Sequence, residues 1–227
     1  VATLAPGATQ TLTLTVPVTL TGSTVSATIT ASSVPDSNLG NNTDTSVSSA
    51  LFADLTSSVD LPVNAAAGSV VTVTATFTNS ATGATATTAT SATGTVVLSD
   101  GTTQTFALGD LAPGASATRS FTATVPSSTA TTLLSATSTV ATSTPESNTA
   151  NNVGTDTLVV LFADPAVDVG VIPSGVPGAT VTTTLSLTNN GSATTSITVT
   201  VSINGSLTTV VATLAPGATQ TLTLTVP

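Results

Sequence analysis

VATLAPGATQTLTLTVP fills residues 1–17, and the same letters return at residues 211–227. Chance does not produce such a match. Its simplest reading is a tandem array with a period of 210 residues, cut so that one strand is displayed at both ends. Within the stretch, Leu12, Leu14 and Val16 alternate with Thr11, Thr13 and Thr15. That is the period-2 pattern of a half-buried strand. Ala5-Pro6-Gly7-Ala8 before it reads as a turn, Pro presetting φ and Gly free to take φ > 0. A looser copy, DLAPGASATRSFTATVP, lies at 110–126. Each period therefore holds two related units, giving domains of roughly 100 residues.

Thr, Ser, Ala and Val dominate the chain, which suits pleated surfaces and disfavours long helices. Hydrophobic residues make up 40 % and charged residues 5 %, so the chain is not a disordered polyampholyte. Cys, His, Trp, Tyr, Met and Lys are absent, and Arg119 is the only base. Disulfides are excluded. The formal net charge of −9 argues against nucleic acid or an anionic membrane as partner. No apolar run approaches the ~20 residues of a membrane helix, so this segment is not expected to insert in a membrane, and no signal peptide is visible. Scarcity of Lys and Arg also confers resistance to trypsin, in keeping with an extracellular, cell-surface setting.

Outward from the repeated stretch, residues 23–31 (STVSATITA) make a further strand, and the polar loop SVPDSNLGNN at 33–42 leads into TDTSVSSALFAD at 43–54. The loop returns as STPESNTANN at 143–152, ahead of GTDTLVVLFAD at 154–164. An offset of 110 relates Pro35 to Pro145, Asp36 to Glu146, Asn38 to Asn148, Asn41 to Asn151, Asn42 to Asn152 and Leu51-Phe52-Ala53-Asp54 to Leu161-Phe162-Ala163-Asp164. It also relates Gly68 to Gly178, Phe77 to Leu187 and Asn79 to Asn189. Taking each LFAD as a domain start, residues 51–160 form one complete domain. Residues 1–50 are then the C-terminal part of another, and residues 161–227 the N-terminal part of the next, which the equivalent of 18–50 would complete. Strands are expected near 53–60, 70–78, 84–91, 94–99, 117–125, 131–142 and 154–161, with Val71, Val73, Ala75 and Phe77 facing inward. Seven short strands with regular turn signals point to an all-β fold: tandem immunoglobulin-like seven-stranded β-sandwich domains in a linear array.

Pro-Gly-Ala before a TVT strand, Thr-Asn-Asn or Thr-Asn-Ser after it, LAPGA before TLTLTVP, and (D/E)SNxxNN before the final strand form a family pattern. The chain resembles the cell-adhesion-related domain found in bacteria (CARDB-like). It is equally similar to the immunoglobulin-like repeats of giant bacterial and archaeal surface proteins. The resemblance covers essentially the whole chain and implies a secreted, multi-domain stalk or fibre.

An enzyme is not expected. Nucleophile–base chemistry needs His, Lys or an equivalent beside Ser or Thr, and a carboxylate-pair glycosidase would lack the Trp and Tyr platforms that hold sugars. The sharper signal is acidic. Eight of the ten carboxylates fall in two clusters, Asp36, Asp44, Asp54 and Asp60, then Glu146, Asp156, Asp164 and Asp168. Each cluster flanks an expected domain junction. Carboxylates mixed with Asn oxygens suit Ca²⁺, which takes six to eight oxygen ligands. The candidate junction calcium ligands are Asp36, Asn38, Asn41, Asp54, Glu146, Asn148, Asn151 and Asp164. No contiguous DxDxDG motif is present. The plainer reading, with Asn pairs as turn residues and acids as solubilising groups, is preferred. Three Asn-x-Ser/Thr triplets, at Asn41, Asn190 and Asn204, arise freely in a chain of this composition. Outward Thr rows read first as ordinary strand propensity, and second as faces for lateral self-association into bundles. Phe52 and Phe162 are candidates either for packing between neighbouring repeats or for filling their own cores.

The expected role is a structural segment in the shaft of a giant adhesin, surface filament or sheath, covalently continuous with neighbouring repeats of the same chain. Two alternatives stand beside it. A pilin-like subunit polymerised by strand exchange would give subunit-sized bands on a denaturing gel. A ligand-binding adhesion module would show on a glycan array.

Overall fold

The computed structural model describes residues 3–226. It is all-β apart from one 3-10 turn at Leu39–Asn41, and its strands fall into three groups. The N-terminal group is a hairpin of β1 (Ser23–Thr28) and β2 (Thr43–Ser48). The central group comprises β3 (Leu55–Asp60), β4 (Asn64–Ala66), β5 (Val70–Asn79), β6 (Ala89–Leu98), β7 (Thr103–Leu111), β8 (Ser116–Thr124), β9 (Thr132–Ala141) and β10 (Val153–Leu161). The C-terminal group comprises β11 (Pro165–Val169), β12 (Val181–Asn189), β13 (Thr195–Ile203), β14 (Ser206–Leu214) and β15 (Thr219–Val226).

The central unit is an immunoglobulin-like sandwich. One sheet has the order β3-β5-β8 and the other β4-β10-β9-β6-β7, antiparallel except where β4 pairs parallel to β10. Alternation drives the packing, since successive side chains of a strand point to opposite faces. In β5, Val71, Val73, Ala75 and Phe77 are buried as the pattern predicts. They meet Val96 and Leu98 of β6, Leu134 and Ala136 of β9, and Leu158 and Val160 of β10 in one core. On the outer face of the first sheet, hydroxyls pair across β5 and β8: Thr74 with Ser120 at 3.1 Å, Thr76 with Thr118 at 3.2 Å, and Thr78 with Ser116 at 2.7 Å. Such cross-strand pairs each stabilise a sheet modestly.

Three expectations need correction. The strands expected at 84–91 and 94–99 are one strand, β6, with a bulge between Ala89 and Thr93 and a positive φ at Ser91. Gly94 serves packing, because a Cβ there would collide with the Phe77 ring. Second, β7 lies where no strand was expected. It returns from a turn in which Thr102 N–H donates to Asp100 Oδ1 and Gly101 takes φ +93°. Third, residues 9–17 do not form a strand. Leu12 and Leu14 stand 77 % and 72 % exposed, with no partner strand beside them.

The C-terminal unit repeats five of these strands in order. Its sheets are β11-β12-β15, matching β3-β5-β8, and β13-β14, matching β6-β7. Pairing of Pro165 with Asn189 and of Leu55 with Asn79 confirms the 110-residue offset at the first two strands. Only Leu185, Leu187, Ala212 and Leu214 are buried in its core.

Candidate functional site

The sequence-selected acids and asparagines of the central unit meet at the start of β3. Here the chain entering the unit, residues 52–55, is held between the loop at 80–87 and the loop at 143–152. Ala53 N–H donates to Pro145 O and Ser147 N–H donates to Ala53 O, both at 2.9 Å. Phe52 is fixed on the other side, donating to Thr85 O and accepting from Thr87 N–H. Backbone groups of β3 that do not face β5 need other partners, because a buried unpaired N–H is costly.

The carboxylates supply them. Glu146 Oε2 accepts from Leu55 N–H at 3.0 Å, and its Oε1 accepts from Asn152 Nδ2 at 3.0 Å. Asp54 Oδ1 accepts from Asn151 Nδ2 at 2.9 Å, while Asn151 O accepts from Ser57 N–H. Further along, Asp156 Oδ2 accepts from Leu61 N–H at 2.7 Å. Asn148 Oδ1 makes a local turn by accepting from Ala150 N–H. The acids thus staple the last hairpin of the unit onto its first strand. Asn151 Oδ1 and Asn152 Oδ1 are buried without a hydrogen-bond partner beside this cluster.

Corresponding residues elsewhere are not gathered in this way. Asp36 accepts from Asn38 N–H at 2.9 Å, and Asn38 Oδ1 accepts from Gly40 N–H at 3.1 Å, all within one exposed loop. The bond from Asn38 N–H, with one from the Asn42 side chain, holds the Asp36 carboxyl below its ordinary pKa. Asn41 lies in the short 3-10 turn of that loop. Asp164 sits exposed at the start of the C-terminal unit, its N–H donating to Asn189 Oδ1 at 3.2 Å. Among the described residues, no group of three or more His, Cys, Asp or Glu comes together that could hold a metal ion. Glu146 has both oxygens engaged by N–H donors. The oxygens left for a cation are thus a minority of the six to eight that calcium takes.

The residues that organise this corner are Asn79 and Asn189, both fully buried. Asn79 Oδ1 accepts from Asp54 and Ala81 N–H, and its Nδ2 donates to Thr87 O and Leu111 O. Asn189 repeats the set, accepting from Asp164 and Gly191 N–H and donating to Ala193 O and Leu214 O. Backbones of the same residues clasp the APGA turns. Gly114 N–H donates to Asn79 O, and Gly217 N–H to Asn189 O. The sequence showed both asparagines at equivalent positions; an Asn that ends a buried alternating strand was the available signal for this role.

Phe162, like Phe52, is tied to its own unit, its N–H donating to Ser192 Oγ and its O accepting from Ser192 and Ala193 N–H. No helix among the described residues is long and apolar enough to cross a membrane.

Comparison with known proteins bears on the central unit. Residues 52–156 match the model of the CARDB family, a cell-adhesion-related domain family. Among solved structures, the chain is similar to the CARDB domain of a Pyrococcus furiosus protein determined in solution. That similarity is 19 % identity over 48 % of this chain and 96 % of that one, with a TM-score of 0.41. A crystal structure of the same domain in complex with di-metal ions gives 19 % identity over 49 % and 91 %, with a TM-score of 0.40. No curated protein matches the chain. Over residues 52–156, the chain is therefore similar to the CARDB family, and that stretch folds as an immunoglobulin-like sandwich.

Proposed function

We propose that this chain is a structural segment of an extracellular cell-surface fibre, an adhesin shaft, filament or sheath made of immunoglobulin-like units in covalent series. It carries load rather than catalysing a reaction. The observation that carries the reading is the return of residues 1–17 at 211–227 in a chain whose C-terminal strands repeat the central unit in order. The short connection between units supports it. β10 ends at Leu161 and β11 begins at Pro165, and Phe162 and Asp164 between them are already hydrogen-bonded within the C-terminal unit. Such series sum their stability over units and their neighbours. The rows of paired hydroxyls across β5 and β8 offer a surface on which parallel fibres bundle. The test is a denaturing gel of the native material, with electron microscopy of a protein spanning several periods. One very large chain and straight rods are expected. Subunit-sized bands would replace this reading with strand-exchange polymerisation.

A second reading concerns calcium, favoured by the unpaired Asn151 and Asn152 oxygens beside Asp54 and Glu146. Binding to the folded unit alone would raise its melting temperature, the stabilisation growing with the logarithm of ligand excess. Calcium should then raise Tm, and Asp54→Asn should abolish the rise. An unchanged Tm in calcium and in chelator leaves the cluster as hydrogen-bonded staples only.

A further inference from the structure

Two asparagine triplets share their letters and not their surroundings. Asn190-Gly191-Ser192 follows β12, and Asn204-Gly205-Ser206 runs from the tip joining β13 to β14. They hold the only Asn-Gly pairs in the chain. That pairing matters chemically, because glycine has no side chain to keep its amide nitrogen away from the side-chain carbonyl of the asparagine before it. The two triplets are identical, so a difference in their reactivity is set by the fold.

At the first triplet the glycine is locked. Gly191 is buried, and its N–H donates to Oδ1 of the fully buried Asn189 at 3.0 Å. On either side, Asn190 N–H donates to Asp164 O at 2.8 Å and Ser192 N–H donates to Phe162 O at 2.7 Å. A Cβ on Gly191 would strike the backbone of Phe162, Ala163 and Asp164, so the chain has no room to rotate here. Freeing the glycine nitrogen means breaking a buried hydrogen bond and leaving its groups unpaired, which is costly.

The second triplet stands at a hairpin tip. Ile203 pairs with Ser206, leaving Asn204 at φ 47° and Gly205 at φ 85° as a two-residue loop that needs positive φ at both positions. Asn204, Gly205 and Ser206 are all exposed, and a Cβ on Gly205 would meet nothing within 4 Å. Exposure of such a tip does not depend on how many strands stand beside the hairpin. In the central unit, where β9 and β10 close the sandwich, the corresponding turn at Asp100-Gly101 is exposed as well. Loop tips open at far lower cost than the ladder beneath them.

We propose that Asn204 is a site of spontaneous covalent modification, converting to aspartate and isoaspartate, while the fold keeps Asn190 intact. The Gly205 amide nitrogen gives up its proton to hydroxide and attacks Cγ of Asn204. A C–N bond forms, the Cγ–Nδ2 bond breaks, and the side-chain nitrogen takes up a proton and leaves as ammonia. Water then opens the cyclic imide at either carbonyl, giving aspartate or an isoaspartate whose main chain runs through the former side chain. No oxidant or reductant takes part. Aspartate suits the position, as Asp100 does in the central turn. Isoaspartate instead lengthens a loop whose two-residue span sets the register of β13 on β14. Each conversion adds a negative charge to a chain that already carries −9, and conversions accumulate with the age of the protein. This proposal is independent of the fibre reading.

The test uses the full chain, incubated at mildly alkaline pH with and without urea above the unfolding midpoint. Peptide mass spectrometry follows the mass gain of amide-to-carboxyl conversion at each asparagine, and enzymatic methylation detects isoaspartate. In the folded chain Asn204 is expected to convert at least about tenfold faster than Asn190, a ratio equivalent to about 1.4 kcal/mol of extra opening cost at Asn190. In urea the two rates should converge. Comparable rates in the folded chain, or no gain at Asn204, overturn the proposal. A ratio that persists in urea also overturns it, since the selectivity would then lie in the flanking letters and not in the fold.

Discussion

Residues 3–16 and 213–226 have one sequence and two structures. Their turns agree. Ala8 N–H donates to Ala5 O at 2.9 Å with Gly7 at φ +79°, and Ala218 N–H donates to Ala215 O at 3.0 Å with Gly217 at φ +69°. Their strands do not. Residues 219–226 form β15, paired with β12 from Thr188↔Thr219 to Val181↔Val226, while residues 9–17 join no sheet. A turn is written locally in Pro and Gly. A strand is only permitted by its sequence and is made by its neighbour. The same contrast separates the closed central unit from the open C-terminal one.

Four experiments would break or sharpen that contrast. The largest effect belongs to Phe77→Ala, which empties a fully buried ring site at the centre of the closed core. It should cost about 3–5 kcal/mol, read as a lower urea midpoint for the main unfolding transition. An unshifted midpoint would mean that the central unit is not the cooperative core described. Next, Glu146→Ala removes the acceptor for the buried Leu55 N–H and should cost about 1–3 kcal/mol. Asp36→Ala, in the unpartnered hairpin, should leave that transition where it was. Equal losses would refute the staple assignment.

Leu222→Ala and Leu12→Ala alter the same letter of the two identical stretches. Leu222 is half-buried between β12 and its core, so its loss should cost about 1 kcal/mol of local stability, measured by hydrogen exchange across β12. Leu12→Ala should change nothing. The smallest effect is acidic. A carboxyl held below its ordinary value of 3.8 gives its loop an ordering contribution that is complete above that pH and fades as pH falls through the lowered pKa. The Asn38 amide resonance should therefore move only in that acidic window. Movement centred above pH 3.8 would contradict the direction of the shift.

Much of the fold was legible because the inward faces are written in plain alternation, as in Val71, Val73, Ala75 and Phe77. The repeated turns gave the order of strands, and the 110-residue offset gave the unit. β7 was hidden because Thr103, Gln104 and Thr105 dilute its alternation at the exposed edge of a sheet. The role of Gly94 was not legible, because that it admits a ring from the facing sheet depends on Phe77, seventeen residues away and on another strand. The acidic cluster was legible as a gathering of residues but not as an arrangement. That Glu146 reaches Leu55 N–H depends on two segments 91 residues apart being brought edge to edge, which no spacing announces.

The hydroxyl pairs across β5 and β8 have a consequence for the medium this protein tolerates. Thr74, Thr76 and Thr78 hold their partners through neutral groups, so dissolved ions have no attraction there to weaken. Where many exteriors rely on opposite charges, this one has ten acids and a single base, and brine acts chiefly by relieving mutual repulsion. Added salt should therefore leave the hydroxyl pairs intact and ease the repulsion among the acids.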